Sequence, residues 1–344
     1  MSFEDVLGHD RQAAVLKRGI ITGQMPPAYL FHGEEGIGKR LTALQFAKAL
    51  NCTGAREPAS SCDTCQSCRN VEAGCHPNVT TLALEINADT GKPRQEIVID
   101  QVRRAQEFLS LKAVGEGRKA LMVDGAHLMN EGAANAFLKT LEEPPDGSHV
   151  IMITSRPSSL LPTIISRCRA MSFQPLNVEL TAKLLMDKTG ATKEDAYFVA
   201  RMTGGRAGAA LDADAGGLAE RRKAAIKLLG FIEDAGYSSL LKKAEDAAKK
   251  EGGLEDFLFF GTLWFRDVLV ILCGGPVSTT YNMDRAADLQ GWASRMTAGR
   301  AEAALALLKE AGKAVERTFN RRLLTEDLFF KLREEALDTP ATRV

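Results

Sequence analysis

Along residues 1–175, short and almost uninterrupted apolar runs alternate with stretches whose apolar positions recur at helical spacing. Three runs have strand length: AYLFHG (28–33), KALMVDG (119–125) and HVIMITS (149–155), each bounded by turn or polar residues. Apolar character that is continuous rather than alternating is what a parallel strand needs when both sheet faces are covered. KRLTALQFAKALNC (39–52) and NEGAANAFLKTLEEPP (130–145) read as helices, the second stopped by Pro144-Pro145. The pattern predicts an α/β nucleotide-fold half built on a parallel sheet.

From about residue 176 the strand signal ends. Two or three short helices, punctuated by KTG and TGG, are expected up to about 216. After Gly216-Gly217 come longer amphipathic helices, LAERRKAAIKLLGFIEDAG (218–236) and SLLKKAEDAAKKEGG (239–253). The most apolar stretch, FLFFGTLWFRDVLVILC (257–273), is interrupted by Arg266 and Asp267 and falls short of a membrane span, so it reads as a buried helix. A loop, GGPVSTTYN (274–282), two further helices to about 335 and a frayed tail, LDTPATRV, complete the reading. There is no internal repeat and no low-complexity tract.

Composition narrows the classes. A chain of 344 residues exceeds one ordinary core, so two or three domains are expected. Lys plus Arg and Asp plus Glu each number 44, for a formal charge of zero. No global basic field exists to steer nucleic acid, and any such contact must come from local patches. The charge runs on the later helices read as solvated faces. MSFEDVLGHD is polar and acidic, unlike a secretory or transit segment. With seven cysteines, this points to reduced cytosolic thiols or a metal site.

The cysteines are not scattered. Cys62, Cys65 and Cys68 form C-x₂-C-x₂-C, and Cys52 lies nine intervening residues upstream, at a predicted helix end. Four thiolates close a tetrahedron around Zn²⁺ and leave no open position, so a structural zinc within about 52–68 is expected rather than a catalytic one. An iron–sulfur reading fails, because the cysteine after Cys68 is Cys75, followed by His76, which breaks the required spacing. Cys75 and His76 stand as alternatives to Cys52, and free loop thiols as the alternative to a metal. Cys168 and Cys273 read as ordinary buried thiols.

GEEGIGKR (33–40) follows the first strand. Gly33, Gly38 and Lys39 fit G-x-x-x-x-G-K-[ST], with Gly36 inside the loop, but Arg40 occupies the place of the hydroxyl that binds Mg²⁺. ALMVD ends in Asp124, where P-loop enzymes hold the metal through a carboxylate. The following position, often a glutamate that orients water, is Gly125, and losing a positioned base costs roughly 10²–10⁴ in rate. Two parts of a hydrolytic apparatus are missing, yet Lys39 and the glycines leave ATP or ADP binding open. The alternative is a glycine turn with a solvated lysine. His127 and His149 have no partner at suggestive spacing and read as structural. Ser166-Arg167-Cys168 follows the third strand; an arginine at a domain edge can reach a neighbour's γ-phosphate, although pairing with a local carboxylate is the commoner fate.

In order, FEDVLGHD, AYLFHGEEGIGKR, the cysteine cluster, LMVDGAHLM, NAFLKTLEEPP and ISRC resemble the bacterial DNA polymerase III clamp-loader subunits of the AAA+ class. The likeness is strong over about 3–175 and weaker to RTFNRRLLTEDLFFKL near the C-terminus. KTLEEPP together with SRC is specific; the glycine loop alone is not. The resemblance implies an AAA+ P-loop domain (1–175), a small helical lid (176–216) and an all-α collar (217–344). Arg40 and Gly125 resemble the family's branch with altered loops rather than its gamma/tau ATPase branch. Gly208 falls where the lid's phosphate-sensing arginine belongs, with Arg206 two positions off, and Ser155 falls at the first sensor. The resemblance further implies assembly with gamma/tau and delta subunits, contact with the sliding clamp and primed DNA through the complex, a cytoplasmic place without membrane, and Arg167 as a finger acting in trans. A gamma/tau-like ATPase is the alternative, and a zinc-dependent DNA-binding module a third reading.

Overall fold

The computed structural model describes residues 3, 6–86, 91, 94–315 and 320–337. It divides into two compact units, Met1–Ala213 and Asp214–Val344. In the first, α1 (Asp10–Thr22), β1 (Ala28–His32), α2 (Lys39–Asn51), α3 (Gln66–Glu72), β2 (Val79–Leu82), α4 (Ile99–Ser110), β3 (Lys119–Asp124), α5 (Glu131–Glu142), β4 (Ser148–Thr154), α6 (Pro162–Ile165) and β5 (Arg169–Ser172) follow one another. The short helices α7 (Val178–Thr189), α8 (Lys193–Met202) and α9 (Ala207–Leu211) complete it.

The five strands pair in parallel in the order β2-β3-β4-β1-β5. The three apolar runs are the central strands, and alternate residues enter opposite layers. Tyr29, Phe31, Met122 and Ile151 pack with Ala43 and Phe46 of α2, while Leu30, Leu121, Val123 and Val150 pack with Val102 of α4 and Phe137 of α5. Burial on both faces is why these strands read as unbroken apolar runs. In register, Asp124 pairs with Ile153 and His32 with Thr154. The C-terminal ends of β1, β3 and β4 therefore lie side by side, the edge where open parallel sheets place their sites.

The second unit is all-helical: α10 (Ala215–Asp234), α11 (Tyr237–Lys249), α12 (Gly253–Leu272), α13 (Ala286–Arg295), α14 (Ala298–Val315) and α15 (Arg321–Lys331), followed by a π turn at Leu332–Leu337. Trp264, Phe265 and Val268 of α12 centre its core, against Leu229, Trp292, Leu308 and Phe329.

Two details differ from the sequence reading. Gly216 and Gly217 lie inside the first turn of α10, because the Asp214 carboxylate caps it by accepting the Gly217 N–H at 2.7 Å. Among the described residues three α-helices rather than two follow the 274–282 loop. All but the first residue of LDTPATRV lies outside the described residues. Among the described residues no helix is long and apolar enough to cross a membrane.

Candidate nucleotide site and cysteine cluster

β1 delivers the chain into the glycine loop, and α2 starts at Lys39 with Gly38 as its cap. Gly36 and Gly38 have φ of +76° and +102°, which side-chain-bearing residues rarely adopt. At Gly33 a Cβ would lie 2.4 Å from the Phe173 carbonyl oxygen. The loop's carbonyls are engaged by donors of the chain itself. Buried Lys39 turns its Nζ back on the Gly33 oxygen, at 2.7 Å, and on that of Glu34. The Gly36 oxygen accepts the Gly208 N–H at 2.7 Å, and the Ile37 oxygen accepts from His9 Nε2 at 2.6 Å. Gly38 accepts from the Thr42 N–H and Oγ1, at 2.9 and 3.0 Å. Burial lowers the Lys39 pKa, against the opposing charges of Glu35, Asp124 and Glu34.

Arg40 Nε stands 3.4 Å from Asp124 Oδ2, so a guanidinium faces the carboxylate that would hold a metal. With the Arg40 side chain 74% exposed, the pair adds little stability; its meaning is chemical. Gly125 has φ +75°, and a Cβ there would lie 2.9 Å from Leu128 Cδ1. At Gly208 a Cβ would fall 3.2 Å from the Gly36 oxygen, a tight approach. Arg206 Nε donates to the Thr203 carbonyl at 3.0 Å. Ser155 is half-buried just past β4.

The structure thus gathers Gly33, Gly36, Gly38, Lys39, Arg40 and Asp124. Arg167 has other partners: its Nη1 donates to the Thr163 carbonyl at 2.9 Å and its Nη2 meets Glu142 Oε1 at 2.7 Å. This is the local carboxylate pairing that the sequence left open. His127 and His149 each have a partner within the chain. His127 Nδ1 lies 3.1 Å from Thr154 Oγ1, and His149 Nδ1 donates to the Pro26 carbonyl at 3.3 Å. His9 and Glu142 escaped the sequence reading. They lie within the FEDVLGHD and KTLEEPP stretches, but only the folded chain brings them to the loop and to Arg167.

The Sγ atoms of Cys52, Cys62, Cys65 and Cys68 lie within 4.8 Å of one another and form a group able to hold a metal ion. Cys52 ends α2, and Cys65 caps α3. Thiolates bound at ~2.3 Å around a tetrahedral Zn²⁺ stand about 3.8 Å apart, and the Cys52 and Cys65 sulfurs are 3.9 Å apart. Backbone N–H groups point at three of the sulfurs: Cys62 N at Cys52, Cys65 N at Cys62 and Cys68 N at Cys65, at 3.3, 3.3 and 3.4 Å. Burial works to raise the Cys65 pKa, but the N–H donors of Cys68 and Thr53, with the Thr53 hydroxyl, bring it to about 5. Burial pushes Cys68 up. The donor set suits a thiophilic cation.

Cys75 is exposed, and its sulfur lies 3.7 Å from the Asn70 oxygen. Both His76 nitrogens are engaged: Nδ1 accepts the Asn78 N–H and Nε2 meets Ser67 Oγ, each at 3.0 Å. Cys168 is half-buried beside Met152, its pKa raised to about 11 by burial. Cys273, expected to be buried, is exposed, because α12 ends at Leu272 and leaves it at the cap.

A family model described as DNA polymerase III, delta subunit, matches residues 8–177. Over 336 residues the chain is 30% identical to DNA polymerase III subunit delta' of Bacillus subtilis, covering 94% of this chain and 96% of that protein. It is 42% identical over 143 residues to the delta' subunit of Pseudomonas aeruginosa, 41% of each chain. The tau subunit of Bacillus subtilis is 34% identical over 174 residues, half of this chain and 29% of that longer protein.

Proposed function

This chain belongs to the family of DNA polymerase III delta-prime subunits, clamp-loader components of the bacterial replicase, and from that premise we propose that it is the loader's stator: a subunit that keeps a P-loop fold without hydrolysing ATP and completes a neighbour's active site. In this reading 1–175 is the AAA+ domain, the lid expected over 176–216 ends before α10, and the helical unit from Asp214, expected from 217, is the collar that joins the ring. Its partners are the gamma/tau and delta subunits, with the sliding clamp and primed DNA met through the assembled complex in the cytoplasm. Arg167 is the finger offered to the adjacent gamma/tau subunit. Cys52, Cys62, Cys65 and Cys68 hold a structural zinc.

The observation that carries the loss of hydrolysis is Arg40 facing Asp124 at 3.4 Å. A P-loop enzyme places Mg²⁺ between a loop hydroxyl and that carboxylate, bridging the β- and γ-phosphates. Here one metal ligand has become a cation, and the other is turned toward it. Gly125 supplies no base. Lys39, which would reach the phosphates, spends its donors on the Gly33 and Glu34 carbonyls.

Steady-state ATP hydrolysis by the purified chain tests this against the gamma/tau-like alternative. The stator reading expects the background rate with or without primed DNA. Sustained turnover that scales with the concentration of the chain overturns it.

A further inference from the structure

Arg167 is held at both tips of its guanidinium fork. Nη1 donates to the Thr163 carbonyl at 2.9 Å, and Nη2 meets Glu142 Oε1 at 2.7 Å. The two holders come from different elements on one core. Thr163 lies in α6 beside fully buried Ile164, and Glu142 is the last residue of α5, next to buried Leu141. Ile164, Leu141 and Phe137 share a single apolar cluster, and the Arg167 N–H closes on the Ile164 carbonyl at 3.1 Å. Pro144-Pro145 follows after Glu143, so α5 cannot run on and Glu142 stays at its end.

The pair is not a fold-stabilising one. Its side chains are 35% and 49% exposed, and ion pairs at such sites contribute little to stability. It does fix a side chain that otherwise samples many rotamers, and ordering such a chain is part of the cost of any contact it makes. Two of the guanidinium's five N–H donors are used, which leaves three for an anion.

We propose that Glu142 is a positioning residue for the trans reaction: with the Thr163 carbonyl it holds the Arg167 guanidinium in one pose before the neighbour's phosphate arrives. The inference rests on Arg167 being the finger. Because such a finger acts on charge developing in transfer, its positioning is read in kcat rather than in the KM for ATP. A carboxylate that instead shielded the finger would have the opposite effect on rate when removed.

The test reconstitutes the complete loader with full-length wild-type subunit, Glu142→Gln, Glu142→Asp, Arg167→Ala, or Glu142→Gln with Arg167→Ala, and measures DNA-dependent ATP turnover at saturating clamp. Glu142→Gln is expected to lower kcat by less than Arg167→Ala does and by no more than about fivefold, the scale of an exposed ion pair. KM, assembly and melting temperature should stay at wild-type values, Glu142→Asp should restore part of the rate, and Glu142→Gln should cost nothing further once Arg167 is Ala. A Glu142→Gln rate equal to or above wild type, beside a lowered Arg167→Ala rate, overturns the positioning role alone. An equal fractional loss in both backgrounds does the same, since the effect would not pass through Arg167. A silent Arg167→Ala overturns the finger, and this inference with it.

Discussion

Arg40 Nε lies 3.4 Å from Asp124 Oδ2, a side-chain cation of the chain set against the carboxylate that normally serves a metal. In the stator reading the loss of hydrolysis is not confined to those two residues. Gly125 holds φ +75° with Leu128 Cδ1 only 2.9 Å from where its Cβ would be, so the missing glutamate is tied to a turn that resists one. Gly125→Glu should therefore destabilise the chain by about 1 kcal/mol or more. Arg40→Thr combined with Gly125→Glu should still not hydrolyse ATP, because in the stator reading Gly208 stands where a phosphate-sensing arginine would be needed. Urea denaturation and ATP turnover check both statements. A double variant as stable as wild type and turning over ATP would contradict them.

One zinc per chain is expected, held by Cys52, Cys62, Cys65 and Cys68. Metal analysis of zinc-replete protein should give one equivalent, and a strong chelator or a thiol-blocking reagent should remove it and lower the melting temperature, since such binding is coupled to local folding. Cys65→Ser should lose the metal; Cys75→Ser should keep it. A Cys65→Ser protein that retains a full equivalent would contradict the assignment.

The three central strands and the glycine loop were legible because they obey local rules: continuous apolar runs and fixed glycine spacing. The edge strands were not. Val79–Leu82 carries two threonines, and Arg169–Ser172 buries only Met171, so neither has the apolar continuity of a covered strand. The cysteine cluster was legible from spacing alone. The closure of the loop was invisible, since it depends on His9 and Gly208 arriving from 28 residues before Ile37 and 172 after Gly36. Asp267 was noticed only as an interruption of an apolar helix, whereas the fold uses it as a buried acceptor.

That acceptor supports a prediction for the helical unit. Asp267 is fully buried, with Oδ1 accepting the Tyr281 N–H at 3.0 Å and Arg266 Nη1 at 2.9 Å. Oδ2 accepts both the N–H and the Nδ2 of Asn282 at 2.8 Å. Asp267→Ala should cost about 3 kcal/mol by leaving these donors without an acceptor. Chemical denaturation measures it; a loss below about 0.5 kcal/mol, the size of an ordinary surface substitution, would contradict the account.

Acid should weaken the first unit. Burial lowers the pKa of His9 and of His149 below the ordinary value of 6.5, in each case outweighing the carbonyl hydrogen bond that would raise it. Below about pH 6.5 the unfolded chain takes up protons that the folded chain refuses. Their contribution is thus fully present above that pH and is lost as pH falls toward the lowered folded values. His149 Nε2 is buried with no hydrogen-bond partner, so a charged ring there has nothing to stabilise it. The urea midpoint should fall between pH 7.5 and 5.5, and His149→Gln should shrink that fall. Identical pH dependence in the two proteins would contradict the role of His149.

In the stator reading this subunit contributes chemistry it does not perform itself. Arg167→Ala in the reconstituted loader, with DNA-dependent ATP turnover read at saturating clamp, measures it most directly. Folding and assembly should be unchanged, because Arg167 is half-exposed and outside the packed core. Turnover should drop, though by less than the roughly 10³–10⁵ a finger supplies at its own site, since only the site facing this subunit is lost. Arg167→Lys should rescue poorly, because a point charge cannot reproduce the planar fork on phosphate oxygens. Equal turnover by fully assembled wild-type and Arg167→Ala complexes would contradict the account.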